Sequence, residues 1–199
     1  DELKVTVFDN KPVLVSGVSG GGTPSSFARI VDEKPQGTDA GTSIVGIQDR
    51  TLNKIEYDAD NIVTLSDDKE FTLQAGTYVI DYSAPGYKTS IVSSYLTSVT
   101  DGVRVSKSQN AMADGNDNTM VSANGTYAVK LTEPHTYKIE YECVIGFATY
   151  GLGHLSVSGV GIFTTVDIEK VGTGSSSSEA TGTPSSFARI VDEKPQGTY

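Results

Sequence analysis

The chain has 199 residues, 37% hydrophobic and 20% charged, and a net charge of −10. That length suffices for one good-sized core, or one domain with appendages, and the acidic surface argues against nucleic acid by repelling phosphate backbones. A single cysteine, Cys143, excludes an intrachain disulfide and a cysteine-cage zinc site, and no run approaches the roughly 20 apolar residues of a membrane span.

In chain order, Leu3–Phe8 and Val13–Ser16 flank Asp9-Asn10-Lys11-Pro12, which is good turn chemistry. Residues 1–18 therefore read as a β-hairpin that stands before the main domain as an attachment segment. No signal peptide is visible, and the chain opens on Asp1 without Met, which reads as a fragment or a processed form. Residues 19–25, with Ser19-Gly20-Gly21-Gly22, read as a flexible joint. No Lys-Ser/Thr follows those glycines, so they are not a phosphate loop.

Residues 26–171 read as the main body. Strands are predicted at Phe27–Asp32, Ser43–Ile47, Leu52–Tyr57, Ile62–Leu65, Glu70–Leu73, Thr77–Ser83, Ser90–Val99, Val103–Ser106, Thr126–Leu131, Tyr137–Phe147, His154–Val157 and Ile162–Glu169. Tyr78, Ile80 and Tyr82 alternate with Val79 and Asp81; Tyr137, Ile139, Tyr141 and Cys143 alternate with Lys138, Glu140 and Glu142. This is the pattern of half-buried antiparallel sheets, and no segment sustains a helical period. The fold class is all-β, a sandwich or barrel. Cys143 falls in one such run and reads as a small buried hydrophobe.

Residues 172–183 (GTGSSSSEATGT) are a Gly/Ser-rich linker, able to span roughly 40 Å when extended. Beyond it lies a duplication. Gly182–Thr198 repeats Gly22–Thr38 (GTPSSFARIVDEKPQGT) without a change. Residues 184–199 are thus a second opening strand. Such an identity marks a recent duplication, the start of a second tandem module, or deliberate construction.

The body resembles phage and bacterial jelly-roll domains of the tumour-necrosis-factor / complement globular-head superfamily. The resemblance rests on Phe27–Thr38, Gly41 and Arg50-Thr51-Leu52-Asn53, then on Phe71-Thr72-Leu73-Gln74-Ala75-Gly76-Thr77-Tyr78. It continues through Ser83-Ala84-Pro85, Tyr95-Leu96, Thr100-Asp101-Gly102, Gly151-Leu152-Gly153 and Phe163–Lys170. It implies a ten-strand antiparallel jelly-roll sandwich, a homotrimer, and a place on a virion as head fibre, decoration protein or tail-fibre tip. It also implies that the first strand lies beside the last, and that aromatic side chains line the three-fold interface. The candidates for that trimer core are Tyr78, Tyr82, Tyr137, Tyr141 and Phe163.

Candidate chemistry is sparse. His135 follows Pro134 in a turn and His154 sits among glycines; neither belongs to a Ser-His-Asp order or a metal spacing, and no catalytic residue is assigned. Asp114, Asn116 and Asn118 alternate as calcium-loop ligands do, but Gly125 stands where an EF-hand needs Glu. The segment reads first as a polar surface loop. Calcium is the one cofactor it offers, and no other cofactor is expected. Asp58, Asp60, Asp67 and Asp68 are placed as turn residues, and Asn124-Gly125-Thr126 is a glycosylation sequon.

The expected function is non-enzymatic: a trimeric structural or display protein of a phage head or tail surface. Its partners would be its own copies, capsid or tail proteins, and a host-surface glycan or protein, with no membrane. The alternative is a secreted or cell-surface carbohydrate-binding module of the same fold. The repeat adds strand exchange, because Phe187, Ala188, Arg189, Ile190 and Val191 fit whatever slot accepts the strand containing Phe27 and Ile30.

Overall fold

A computed structural model describes residues 25–113, 118–154 and 158–172. The expected N-terminal hairpin (1–18), most of the joint, the linker beyond residue 172 and the second opening strand lie outside the described residues. So do Asp114 and Asn116 of the calcium candidate, and residues 155–157 of the strand predicted at His154–Val157; His154 itself is in no strand.

The described residues form twelve strands: β1 (Ser26–Lys34), β2 (Gly46–Asp49), β3 (Lys54–Asp58), β4 (Val63–Ser66), β5 (Glu70–Leu73), β6 (Gly76–Tyr87), β7 (Ser90–Ser98), β8 (Val103–Lys107), β9 (Ala111–Ala113), β10 (Met120–Leu131), β11 (His135–Cys143) and β12 (Gly161–Val171). One sheet runs β10-β6-β12-β1-β3; the other runs β4-β5-β11-β7-β8, with β2 added beside β11 and β9 beside β7. All pairings are antiparallel. Stripped of β2, β3, β4 and β9, the order is β1-β12-β6-β10 facing β5-β11-β7-β8. Apart from the β7–β8 hairpin, successive strands cross from sheet to sheet as in an eight-strand jelly roll with two Greek keys. The described strands number twelve rather than ten, because short strands supplement both sheets.

The core fills the space between the sheets. Ala28, Ile30, Tyr78, Ile80, Tyr82, Val166 and Ile168 face it from one side; Phe71, Leu73, Val92, Leu96, Tyr137, Ile139, Tyr141 and Cys143 face it from the other. The alternation read from β6 and β11 therefore holds. The free thiol of Cys143 is buried and donates to the Ile44 carbonyl at 3.1 Å; burial pushes it above its ordinary range.

Two predicted strands are longer than expected for one reason. β10 begins at Met120, six residues before the predicted start, and passes straight through Asn124-Gly125. Asn-Gly ordinarily signals a turn. Here Gly125 pairs with Tyr82, whose ring lies over it, so a Cβ would collide with that ring. β6 likewise extends to Tyr87 through Gly86, which leaves room for the Tyr141 hydroxyl. These glycines admit large aromatic neighbours into the core rather than turning the chain.

The five rings expected at a three-fold interface need correction. Tyr78, Tyr82, Tyr137, Tyr141 and Phe163 are all buried inside this single chain. Their apolar surface is already consumed between the two sheets, so they do not present a face to a neighbouring copy.

Candidate functional site

Four places gather the chemistry of the described surface and core. The first is the slot that holds β1. This strand pairs with β12 on one side and β3 on the other, with Ser26 opposite Lys170 and Arg29 opposite Asp167. The first strand thus lies beside the last, as the resemblance implied. Arg29 reaches a carboxylate on each flanking strand: Glu56 at 2.8 Å and Asp167 at 3.1 Å. A bulge between Val31 and Glu33 interrupts alternation, so Ile30, Val31 and Asp32 are all buried. The bulge turns the Asp32 carboxylate inward, where Lys34 pairs with it at 2.8 Å.

Beneath the bulge lies Arg50, 1% exposed. Its Nε donates to Thr164 Oγ1 at 2.8 Å and its Nη2 to the Leu152 carbonyl at 2.7 Å, while the guanidinium sits 5.1 Å from the Tyr141 ring centre. Burial pulls its pKa down to about 10, against the opposing fields of Tyr141 and Asp32. It therefore remains charged at neutral pH, held by its two hydrogen bonds, the Tyr141 ring and the field of Asp32. On the β3 side, Asn53 acts as a backbone surrogate: its Oδ1 accepts from Glu33 N and its Nδ2 donates to Glu33 O, both at 2.9 Å.

The second place is the outer face of the β4–β8 sheet, where charges alternate in a ladder. Asp49 binds Lys138 at 2.7 Å and Lys69 at 3.3 Å; Glu140 binds Arg104 at 2.8 Å and Lys138 at 3.4 Å. Arg104 lies 4.2 Å from the Tyr95 ring centre, and the Tyr95 hydroxyl donates to Glu142 at 2.6 Å. Burial, with that bond to Glu142, pushes the Tyr95 phenol up to about 12. Burial acts upward on Asp49 and Glu140 too, but their cations outweigh it and hold both below their ordinary values.

This ladder ends in an apolar row. Ile91 pairs with Met112, the amide of Val144 donates to the Ile91 carbonyl, and Val45 and Val144 stand one residue beyond the Gly46–Cys143 pair. Val45, Met112 and Val144 are 69%, 67% and 58% exposed, and Ile47, Ile91 and Ile145 are exposed beside them. The signal was present in the sequence as apolar residues at outward-facing positions, but it merged with the strand-forming runs around it.

The third place is a cleft of about 220 Å³ among β8, β10 and β11, lined by Asp101, Tyr127, Lys130, Glu133, His135 and Tyr137. His135, placed as an isolated turn residue, lies 2.8 Å from Asp101 and 3.0 Å from Ser98. Both contacts fall on Nε2, and Ser98 itself donates to Asp101 at 2.9 Å. A Ser-His-Asp relay needs the acid and the hydroxyl on opposite ring nitrogens. This cluster instead ties β11 to the β7–β8 turn, and its bonds from His135 and Ser98 hold the Asp101 carboxyl below its ordinary value.

The fourth place is an aromatic cluster. His154 sits 4.6 Å from Tyr150 and 5.0 Å from Tyr87 between ring centres; Phe147 lies 4.9 Å from Tyr150, and Lys88 caps both Tyr87 and Phe147 at 5.7 Å. Asp39 binds His154 Nδ1 at 2.9 Å. Asn118, the described member of the calcium candidate, belongs here: its Oδ1 accepts from the Tyr87 hydroxyl at 2.9 Å. Among the described residues no three His, Cys, Asp or Glu side chains gather as metal ligands.

The strand order and these surfaces define an antiparallel jelly-roll sandwich domain. No known protein family matches the sequence, and no curated protein resembles it. Among solved structures, murine APRIL at pH 8.5 is similar over 74% of this chain and 100% of its own, at 10% identity and a TM-score of 0.48. The globular domain of zebrafish complement 1qA covers 74% of this chain and 98% of its own, at 13% identity and a TM-score of 0.49.

Proposed function

We propose that this chain is a non-enzymatic structural and display protein of a virion surface, a phage head fibre, decoration protein or tail-fibre tip, working as a homotrimer. The observation that carries the assembly is the exposed apolar row of Val45, Ile47, Ile91, Met112, Val144 and Ile145. Contiguous apolar surface of this kind marks interaction sites, and the adjoining charge ladder would fix register between copies without adding much affinity. The five buried rings contribute to this reading only by holding the sandwich rigid. The virion setting draws support from the resemblance of residues 27–171 to phage jelly-roll domains.

Light scattering tests the assembly. The expected particle has three times the 21.0 kDa chain mass, and Val144→Glu with Val45→Glu converts it to monomer at unchanged fold. A monomeric parent chain overturns the reading. Mass spectrometry of purified particles from the host tests the virion setting; absence of the chain from them overturns it.

The aromatic cluster favours a second reading, a carbohydrate-binding module. Half-exposed rings of Phe147, Tyr150 and His154 beside Asn118 and Lys88 offer a stacking face with polar groups at its rim. Binding on a glycan array that disappears in Tyr150→Ala supports it; an unchanged array profile removes it.

A further inference from the structure

We propose that the aromatic cluster around Tyr150 binds carboxylated sugars, with Lys88 as the anchor for the carboxylate. This rests on the carbohydrate reading of the cluster and adds the class of sugar. The rings form a row with opposite charges at its two ends. Tyr87 is the floor, 6% exposed, and meets Phe147 and Tyr150 edge-on at 6.3 and 5.2 Å between ring centres. Phe147, Tyr150 and His154 follow one another across it, each half-exposed. The Lys88 ammonium stands at the Phe147 end and the Asp39 carboxylate at the His154 end. A sugar ring lays its C–H face on such a row, and a few polar groups at the rim fix its orientation. A carboxylate on that ring turns towards Lys88 and away from Asp39, because like charges repel. At the other end, Asp39 accepts from His154 Nδ1 at 2.9 Å, which leaves Nε2 of the neutral imidazole to accept from a sugar hydroxyl.

Two observations single out Lys88. First, no carboxylate among the described residues pairs with it, whereas Lys34, Lys54, Lys69 and Lys138 each have one. Its ammonium instead lies 5.7 Å from the ring centres of both Tyr87 and Phe147. Lys107 and Lys170 also lie over rings, but each over a single ring outside this cluster. Second, the backbone that presents it is unusual. Lys88 sits in the left-handed region at φ +56°, Ser90 at +60°, and Thr149, between Phe147 and Tyr150 in the chain, at +73°. That conformation is costly for a β-branched residue and persists only where the surroundings over-determine it, as at ligand clamps. Here they do. The Lys88 N–H donates to the Thr119 carbonyl and the Ile145 N–H to the Thr89 carbonyl, both at 3.2 Å. The Thr89 hydroxyl is hydrogen-bonded to the buried Tyr141 hydroxyl at 2.9 Å, and the Thr149 N–H donates to Thr42 Oγ1 at 3.0 Å. The turn that carries Lys88 is thus pinned before a ligand arrives, which lowers the ordering cost of binding.

Titration of the full chain with two matched probe pairs tests this: sialyllactose with lactose, and trigalacturonate with its carboxyl-reduced form. In at least one pair the parent chain is expected to hold the carboxylated member about tenfold more tightly, the worth of one charge-assisted contact. That margin should shrink as salt is raised. Lys88→Met is expected to bring the two members of the pair together, Lys88→Arg to keep them apart, and Tyr150→Ala to abolish binding of both. Lys88→Gly removes the same charge while easing the left-handed backbone, so a Lys88→Met chain that fails to fold does not decide the result. Equal affinity within both pairs, or a margin that survives Lys88→Gly, overturns the proposal and leaves carbohydrate binding standing. Binding of none of the four probes overturns the carbohydrate reading along with it.

Discussion

Arg50 shows how much can hang on one side chain. Its guanidinium is buried, bound to Thr164 and Leu152, and stacked near the Tyr141 ring. Truncation leaves the Leu152 carbonyl without its buried donor and opens a cavity against the Tyr141 ring, so Arg50→Ala is expected to cost about 3 kcal/mol in chemical denaturation. Arg50→Lys should recover little, since an ammonium does not reproduce the planar fork that reaches Thr164 and Leu152 together. Gly125 makes the converse point. It is required by what lies on top of it: Gly125→Ala pushes a methyl group into the Tyr82 ring, whose hydroxyl is held by Ser106 at 3.1 Å. Overpacking at this site is expected to lower stability by about 2 kcal/mol, and Tyr82→Leu in the same chain should recover part of the loss.

At the scale of strands, the outer ladder on β2, β8 and β11 gives the domain a defined response to acid. Asp49 and Glu140 of the ladder, and Asp101 beside His135, each ionise more readily in the fold than their ordinary values of 3.8, 4.5 and 3.8. A carboxyl lowered by folding adds stability above its unfolded value and loses that contribution as pH falls through its folded value. Asp167 has the opposite sign, because burial raises it; its contribution is present at low pH and lost as pH rises. Three groups outnumber one. The melting temperature is therefore expected to hold steady from neutral pH to about 5 and to fall below about 4, and Asp49→Asn should flatten that fall. A melting temperature that rises on acidification would contradict this account of the ladder.

Across the whole molecule, the architecture was legible wherever one face of a strand met water. Tyr78-Ile80-Tyr82 and Tyr137-Ile139-Tyr141 announced their sheets because their polar neighbours alternate with them. Legibility failed where a side chain's fate depended on a distant strand. No local pattern shows that Asn124-Gly125 continues a strand, because the reason is Tyr82, on β6. Asp32 reads as a strand-end acid until the bulge turns it towards Arg50. The rings that suggested a subunit interface are core, since apolar character at inward positions does not say whether the neighbour belongs to the same chain. The His135 cluster was invisible because Ser98 and Asp101 share the β7–β8 turn while His135 opens β11, a distant segment.

The antiparallel pairing of β1 with β12 has a mechanical consequence. Ser26 and Lys170 lie side by side, so the polypeptide enters and leaves the sandwich at the same corner. A pull on both ends would not stretch the domain along its strands. It would part β1 from β12 like a zip, one rung at a time, starting at Ser26 and stalling at the bulge where Asp32 is anchored. Force spectroscopy on the chain held at its two ends should record a low, stepped yield rather than one high rupture. Modules joined through such corners would hang from a common line like pennants, each free to swing and each shielded from tension until its first rung opens.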